Sequence, residues 1–80
     1  MAIKKSSDFV IKFGLNLKKI RKARGITQEK LCELSGLALS QVGRIERGEI
    51  NTSLDIIKTI ADAMKLEVYL LFKFEENEEE

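Results

Sequence analysis

Residues 27–48 read TQEKLCELSGLALSQVGRIERG, and the reading of this stretch decides the fold. Thr27 suits a helix N-cap, because its hydroxyl accepts a backbone N–H from the first turn. Lys30 at the third helical position leaves the capping box incomplete. A helix over about 28–35 then buries Leu31 and Leu34. Gly36 falls where the chain must turn sharply, and glycine takes that conformation without a Cβ penalty. A second helix over about 39–47 turns Val42 and Ile45 inward, and Gly48 stops it. With those two inward, Leu39, Ser40, Gln41, Gly43, Arg44 and Arg47 face outward. A helix held clear of its own domain has the width that the DNA major groove admits.

Upstream, the periodicity predicts a helix over about 8–23, capped by Ser7 or Asp8. Val10, Phe13, Leu17 and Ile20 recur at spacings of three, four and three, which is one buried face. Lys12, Lys18, Lys19 and Lys22 fall on other faces, and Gly25 ends the helix. Downstream of Gly48 a short loop leads to Thr52 or Ser53, which starts a fourth helix reaching about Met64. Its core positions are Leu54, Ile57, Ile60, Ala61 and Met64, and Asp55 in the first turn suits the positive end of the helix dipole. Residues 66–74, LEVYLLFKF, admit two readings. Val, Tyr and Phe favour a strand, whereas Leu66, Leu70 and Leu71 suit a short fifth helix; the helix is preferred, with a strand over 67–74 as the alternative.

Eighty residues make one domain, placed at 9–74 between a flexible start at 1–8 and a disordered acidic tail at 75–80. A chain this short buries only about 60% of its unfolded surface, so a second copy would help it. Its 44% apolar and 34% charged residues suit a soluble globular protein, and the lack of proline suits helices. One cysteine excludes an internal disulfide and fits a reducing cytosol. No run of about 18 apolar residues exists to span a membrane, and the start MAIKKSSDF lacks a secretory apolar stretch.

The net charge of +1 hides a division. Residues 1–48 carry 11 Lys/Arg and 4 Asp/Glu, giving +7, while residues 49–80 carry 3 Lys and 9 Asp/Glu, giving −6. A basic front and acidic rear suit a polyanionic partner for the front. Catalysis is not expected. No histidine is available as a base for Ser or Cys, no phosphate loop occurs, and the tail carboxylates lack an apolar pocket. No metal or other cofactor is expected, since one cysteine and no histidine cannot make a zinc site. Cys32 reads as a small core filler.

The runs LKKIRKARGITQEKL, SGLALSQVGRIERG and INTSLDIIKTIADAMKL cover most of the chain from Phe13 to Leu66. In order and spacing they resemble the lambda-repressor-like (Cro/C1, or XRE) family of helix-turn-helix domains. The start FG-x-x-LKKIR and the short C-terminal ending are similar to the restriction-modification controller proteins within it. The resemblance implies an all-α, five-helix bundle in which the third helix reads the major groove of double-stranded DNA, with most members acting as homodimers. Three positions depart from the family pattern: Cys32 in place of alanine, Ala38 in place of a polar cap, and Lys65 in place of the glycine that commonly ends the fourth helix.

By family position, Leu39, Ser40 and Arg44 form the base-reading set, with Gln41 next. The N-terminal end of such a helix enters the groove, and arginine reaches guanine with two parallel hydrogen bonds. Gly43 allows close approach to the DNA backbone. Phosphate contacts are expected from Gln28 and from Asn51, Thr52 and Ser53, at helix starts where free N–H groups face outward, and from Arg47. These set register without carrying sequence. The matching arginine and glutamate of the family join the first helix to the third, which assigns Arg21 and Glu46 to a bracing salt bridge.

The expected function is a cytoplasmic, nucleoid-associated transcriptional regulator of bacterial or phage type. It would bind a near-palindromic operator as a homodimer, through the end of the fourth helix and residues 66–74. Repression would block RNA polymerase and activation would touch it. Two rivals stand beside it: an antitoxin whose partner is a toxin, favoured if 66–74 forms an intermolecular strand, and a protein-interaction module on the same fold.

Overall fold

The computed structural model describes residues 7–75, and all secondary structure among them is helical. Four α-helices, α1 (Ser7–Ala23), α2 (Gln28–Ser35), α3 (Leu39–Glu46) and α4 (Leu54–Ala63), are followed by a 3-10 helix (Val68–Phe72). The all-α expectation is borne out, and the C-terminal segment is the helical alternative rather than a strand. Ser7 and Asp8 belong to α1; the remainder of the segment read as a flexible start, and residues 76–80 of the acidic tail, lie outside the described residues.

Local chemistry sets the helix boundaries. Thr27 Oγ1 accepts the Lys30 N–H at 3.0 Å, and Ser53 Oγ accepts the Ile56 N–H at 3.2 Å, so each satisfies a donor that its helix leaves free. Gly36 closes α2 at φ 81°, in the left-handed region, with its N–H on the Cys32 carbonyl. That reversal delivers the chain to α3 within three residues. Lys65, where a glycine is the family norm, adopts φ 56° at the end of α4 and stays left-handed despite its Cβ.

Phe13, Leu17, Leu31, Val42, Ile45, Ile57, Ile60, Ala61, Met64 and Leu71 form the core, so every helical element contributes. Two positions assigned to it lie elsewhere. Leu34 is 48% exposed, because Leu37, arriving after the Gly36 turn, packs against the core at that end of α2. Leu54 is 81% exposed: as the first residue after the Ser53 cap it projects past the bundle end, and Ile56 and Ile57 pack instead. Val10 and Ile20, on the predicted inner face of α1, are half-buried.

The 3-10 helix is held to α1 by hydrogen bonds and by ring contacts. Asn16 Nδ2 donates to the carbonyls of Leu70 at 3.1 Å and Leu71 at 2.8 Å. Phe72 stacks on Phe9 and tilts against Phe13, with centroids 6.2 and 4.9 Å apart, and Phe74 also meets Phe9. At the other end of α1, Arg24 Nη1 donates to the Met64 carbonyl at 3.1 Å and ties α1 to the end of α4. Among the described residues no helix is long and apolar enough to cross a membrane, and no group of three or more His, Cys, Asp or Glu is placed to hold a metal ion.

Candidate nucleic-acid interface

α3 divides into a buried and an open side. Val42 and Ile45 are fully enclosed, and Glu46 is buried beside them. Ser40 and Arg44 are exposed, Leu39 is 47% exposed, and Gln41 is half-buried. Ala38 occupies the N-cap without a side-chain hydrogen bond. The opening turn of α3 therefore carries backbone N–H groups with no side-chain acceptor from the cap position.

The helix can lie this close to the bundle because of Gly14. A Cβ there would fall 2.6 Å from the Glu46 carbonyl oxygen and clash with that of Ile45. Any larger residue at position 14 would push α3 away from α1. Across the same contact, Arg21 Nε donates to Glu46 Oε2 at 2.6 Å and Arg21 Nη2 to Glu46 Oε1 at 3.0 Å. Side-chain exposures of 6% and 2% make this a buried, two-pronged pair. Arg21 Nη1 also donates to the Ile26 carbonyl at 2.8 Å. The hydrogen bond to Glu46 raises the Arg21 pKa, against the opposing effect of burial, so the guanidinium stays charged. No buried side-chain N or O among the described residues is left without a partner.

Gln28, assigned to a phosphate, also joins this network: its Nε2 donates to Glu46 Oε1 at 2.9 Å. The first residue of α2 is thus positioned by the last residue of α3. The other residues assigned to phosphates sit at the periphery. Asn51 is exposed and Thr52 half-buried, while Ser53 is exposed with its hydroxyl engaged as the α4 cap. Arg47, at the C-cap of α3, is exposed and pairs with Glu49.

Gly43 departs from its outward assignment. It is buried, because the Arg47 guanidinium lies across it: a Cβ at Gly43 would stand 3.0 Å from Arg47 Nη1. The long-range ties of Asn16 and Arg24, and the spacing role of Gly14, had no assignment from sequence. Arginine and asparagine donors to carbonyls 40 to 55 residues away leave no periodic signal.

The helix-turn-helix family, HTH_3, matches residues 17–71, which takes in α2, α3 and α4. An immunity repressor protein of Bacillus phage phi105 is 38% identical over 55 residues, 69% of this chain. The chain spans 38% of that repressor's length. The HTH-type transcriptional regulator YazB of Bacillus subtilis is 35% identical over 54 residues, covering 68% of this chain and 78% of YazB. Among solved structures, the restriction-modification controller protein C.AhdI from Aeromonas hydrophila superposes with a TM-score of 0.77 at 46% identity, over 79% of this chain and 96% of that one. An HTH_3 family transcriptional regulator from Vibrio cholerae gives 0.80 at 26% identity, over 85% of this chain and 38% of its own. The chain belongs to the helix-turn-helix family of DNA-binding transcriptional regulators, in its XRE or Cro/C1-type branch.

Proposed function

We propose that the protein is a sequence-specific transcriptional regulator that binds a near-palindromic operator as a homodimer, with α3 in the major groove. One observation carries the reading: Leu39, Ser40 and Arg44 stand exposed on a helix whose opposite side, Val42, Ile45 and Glu46, is locked into the bundle. Leu39, Ser40 and Gln41, in the first turn, lie nearest the base edges. Arg44, one turn on, reaches guanine, and Leu39 offers a methyl contact to thymine. Gln28, Arg47, Asn51, Thr52 and Ser53 flank this edge as phosphate contacts that set register.

Self-association is supported by the outer side of α4 and the 3-10 helix. Leu54, Lys58 and Asp62 share one face at four-residue spacing. Lys58 and Asp62 border a groove with Leu66, Val68, Tyr69 and Leu70. Tyr69, which lines this groove, is 65% exposed, and Leu54, one turn before Lys58, is 81% exposed. Two-fold pairing through it implies half-sites roughly 34 Å apart. The antitoxin reading leaned on an intermolecular strand at 66–74. The 3-10 geometry there, with the Leu70 and Leu71 carbonyls already accepting from Asn16, removes that support.

Selection of bound sequences from random duplex DNA, with sizing of the complex, tests the proposal. A two-fold-related motif bound by two chains is the expected result. Steep salt dependence with no enriched sequence would instead support a general polyanion binder.

A further inference from the structure

The C-terminal end of α3 places a carboxylate on the edge assigned to DNA. Gly48 N–H donates to the Ile45 carbonyl at 3.0 Å and Glu49 N–H to the Arg44 carbonyl at 2.9 Å. With Gly48 at φ 72°, this is the Schellman closure, which fixes the residue after the glycine against the last helical turn. Glu49 is therefore held by its backbone. Its side chain turns to Arg47: Arg47 Nε donates to Oε2 at 2.6 Å and Nη2 to Oε1 at 3.4 Å. The same guanidinium lies over Gly43 and meets Glu49.

We propose that Glu49 is an internal competitor for DNA phosphate, occupying Arg47 in the free protein and lowering affinity for every duplex by a similar factor. The inference rests on the DNA-binding reading above and adds a residue that sets its strength. Both side chains are half or more exposed, 60% for Arg47 and 50% for Glu49, so water screens the pair and Arg47 can be released at little cost. A phosphate arriving at Arg47 must displace the carboxylate or accept its repulsion. In the free protein the hydrogen bond from Arg47 lowers the Glu49 pKa, with desolvation opposing and the charges of Arg47 and Arg44 assisting, so an arriving phosphate meets a carboxylate already ionised. Because phosphate contacts carry no sequence information, Glu49 sets affinity and leaves sequence preference alone.

The test compares wild-type protein, Glu49→Gln, Arg47→Gln and the double variant on the selected operator and on a random duplex, across a salt series. Glu49→Gln should tighten both complexes by about three- to tenfold at low salt and steepen log K against log salt by about 1. Most of that gain should vanish when Arg47→Gln is already present. Unchanged or weaker binding by Glu49→Gln would overturn the proposal, as would a full gain in the Arg47→Gln background. Wild-type protein that binds neither duplex would overturn the DNA reading itself, and this inference with it. Thermal melts of all four proteins should coincide; a lower melt for Glu49→Gln would make the residue a structural cap and contradict its role as competitor.

Discussion

Two arginine–glutamate pairs flank the end of α3, and both close at 2.6 Å between Nε and Oε2. Arg21–Glu46 is enclosed, with side-chain exposures of 6% and 2%, whereas Arg47–Glu49 stands in solvent at 60% and 50%. That shortest contact alone would rank them equal, and the second contact differs modestly, 3.0 Å in the first pair against 3.4 Å in the other. Environment separates them: burial removes the water that would otherwise solvate either partner, so the enclosed pair cannot be split cheaply. In solvent, the same contact is screened and exchangeable. The enclosed pair fixes where α3 sits, and the open one leaves an arginine available to an incoming anion. The proposed reading of DNA by α3 requires both qualities at once.

Breaking the enclosed pair is the largest expected effect. Glu46→Ala strands the Arg21 guanidinium and the Gln28 amide, and should cost about 3–5 kcal/mol in a denaturant or thermal melt. The same truncation at Glu49 should leave the melt in place. Equal melts for Glu46→Ala and wild type would erase the distinction between the pairs. Gly14→Ala attacks the brace from the α1 side, where a Cβ meets the Ile45 and Glu46 carbonyls. It should destabilise by about 1–3 kcal/mol, and a neutral result would mean that α1 and α3 separate freely.

Smaller changes sharpen the contrast without touching the brace. Ala38→Ser supplies the missing α3 cap and should stabilise by about 0.5–2 kcal/mol in urea unfolding. Lys65→Gly relieves the left-handed residue after α4 and should add about 0.5–1 kcal/mol. Lys65 shares no hydrogen-bond partner with either ion pair among the described residues, its N–H going to the Asp62 carbonyl, so its effect should add to that of Glu46→Ala; strong coupling between them would mean that the brace reaches α4.

The helices and their turns were legible in the chain because their signals are local. Thr27, Gly36 and Gly48 punctuate the helix-turn-helix, and Val42 with Ile45 fixes which side of α3 is sealed. Periodicity misplaced Leu34 and Leu54 because it treats a helix as endless, while real ends are overtaken by neighbours such as Leu37 or run past the bundle. The outward candidates on α3 followed from its sealed side, and the choice of Leu39, Ser40 and Arg44 among them from the family resemblance. What lies between the elements was harder to read. Gly14 spaces two helices, Gln28 serves Glu46, Arg47 covers Gly43, and Asn16 holds a chain segment more than 50 residues away. Each depends on a partner brought near only by folding.

The central claim is that α3 reads base identity through Arg44 while the buried pair holds it in place. It is tested most directly by measuring wild-type protein and Arg44→Ala on the selected operator, on operators altered at each guanine, and on random duplex. Arg44→Ala should lose about 1–3 kcal/mol on the operator, become indifferent to one guanine position, and bind random duplex nearly as the parent does. Equal losses on operator and random DNA, with every base preference retained, would reduce Arg44 to a phosphate contact and contradict the account.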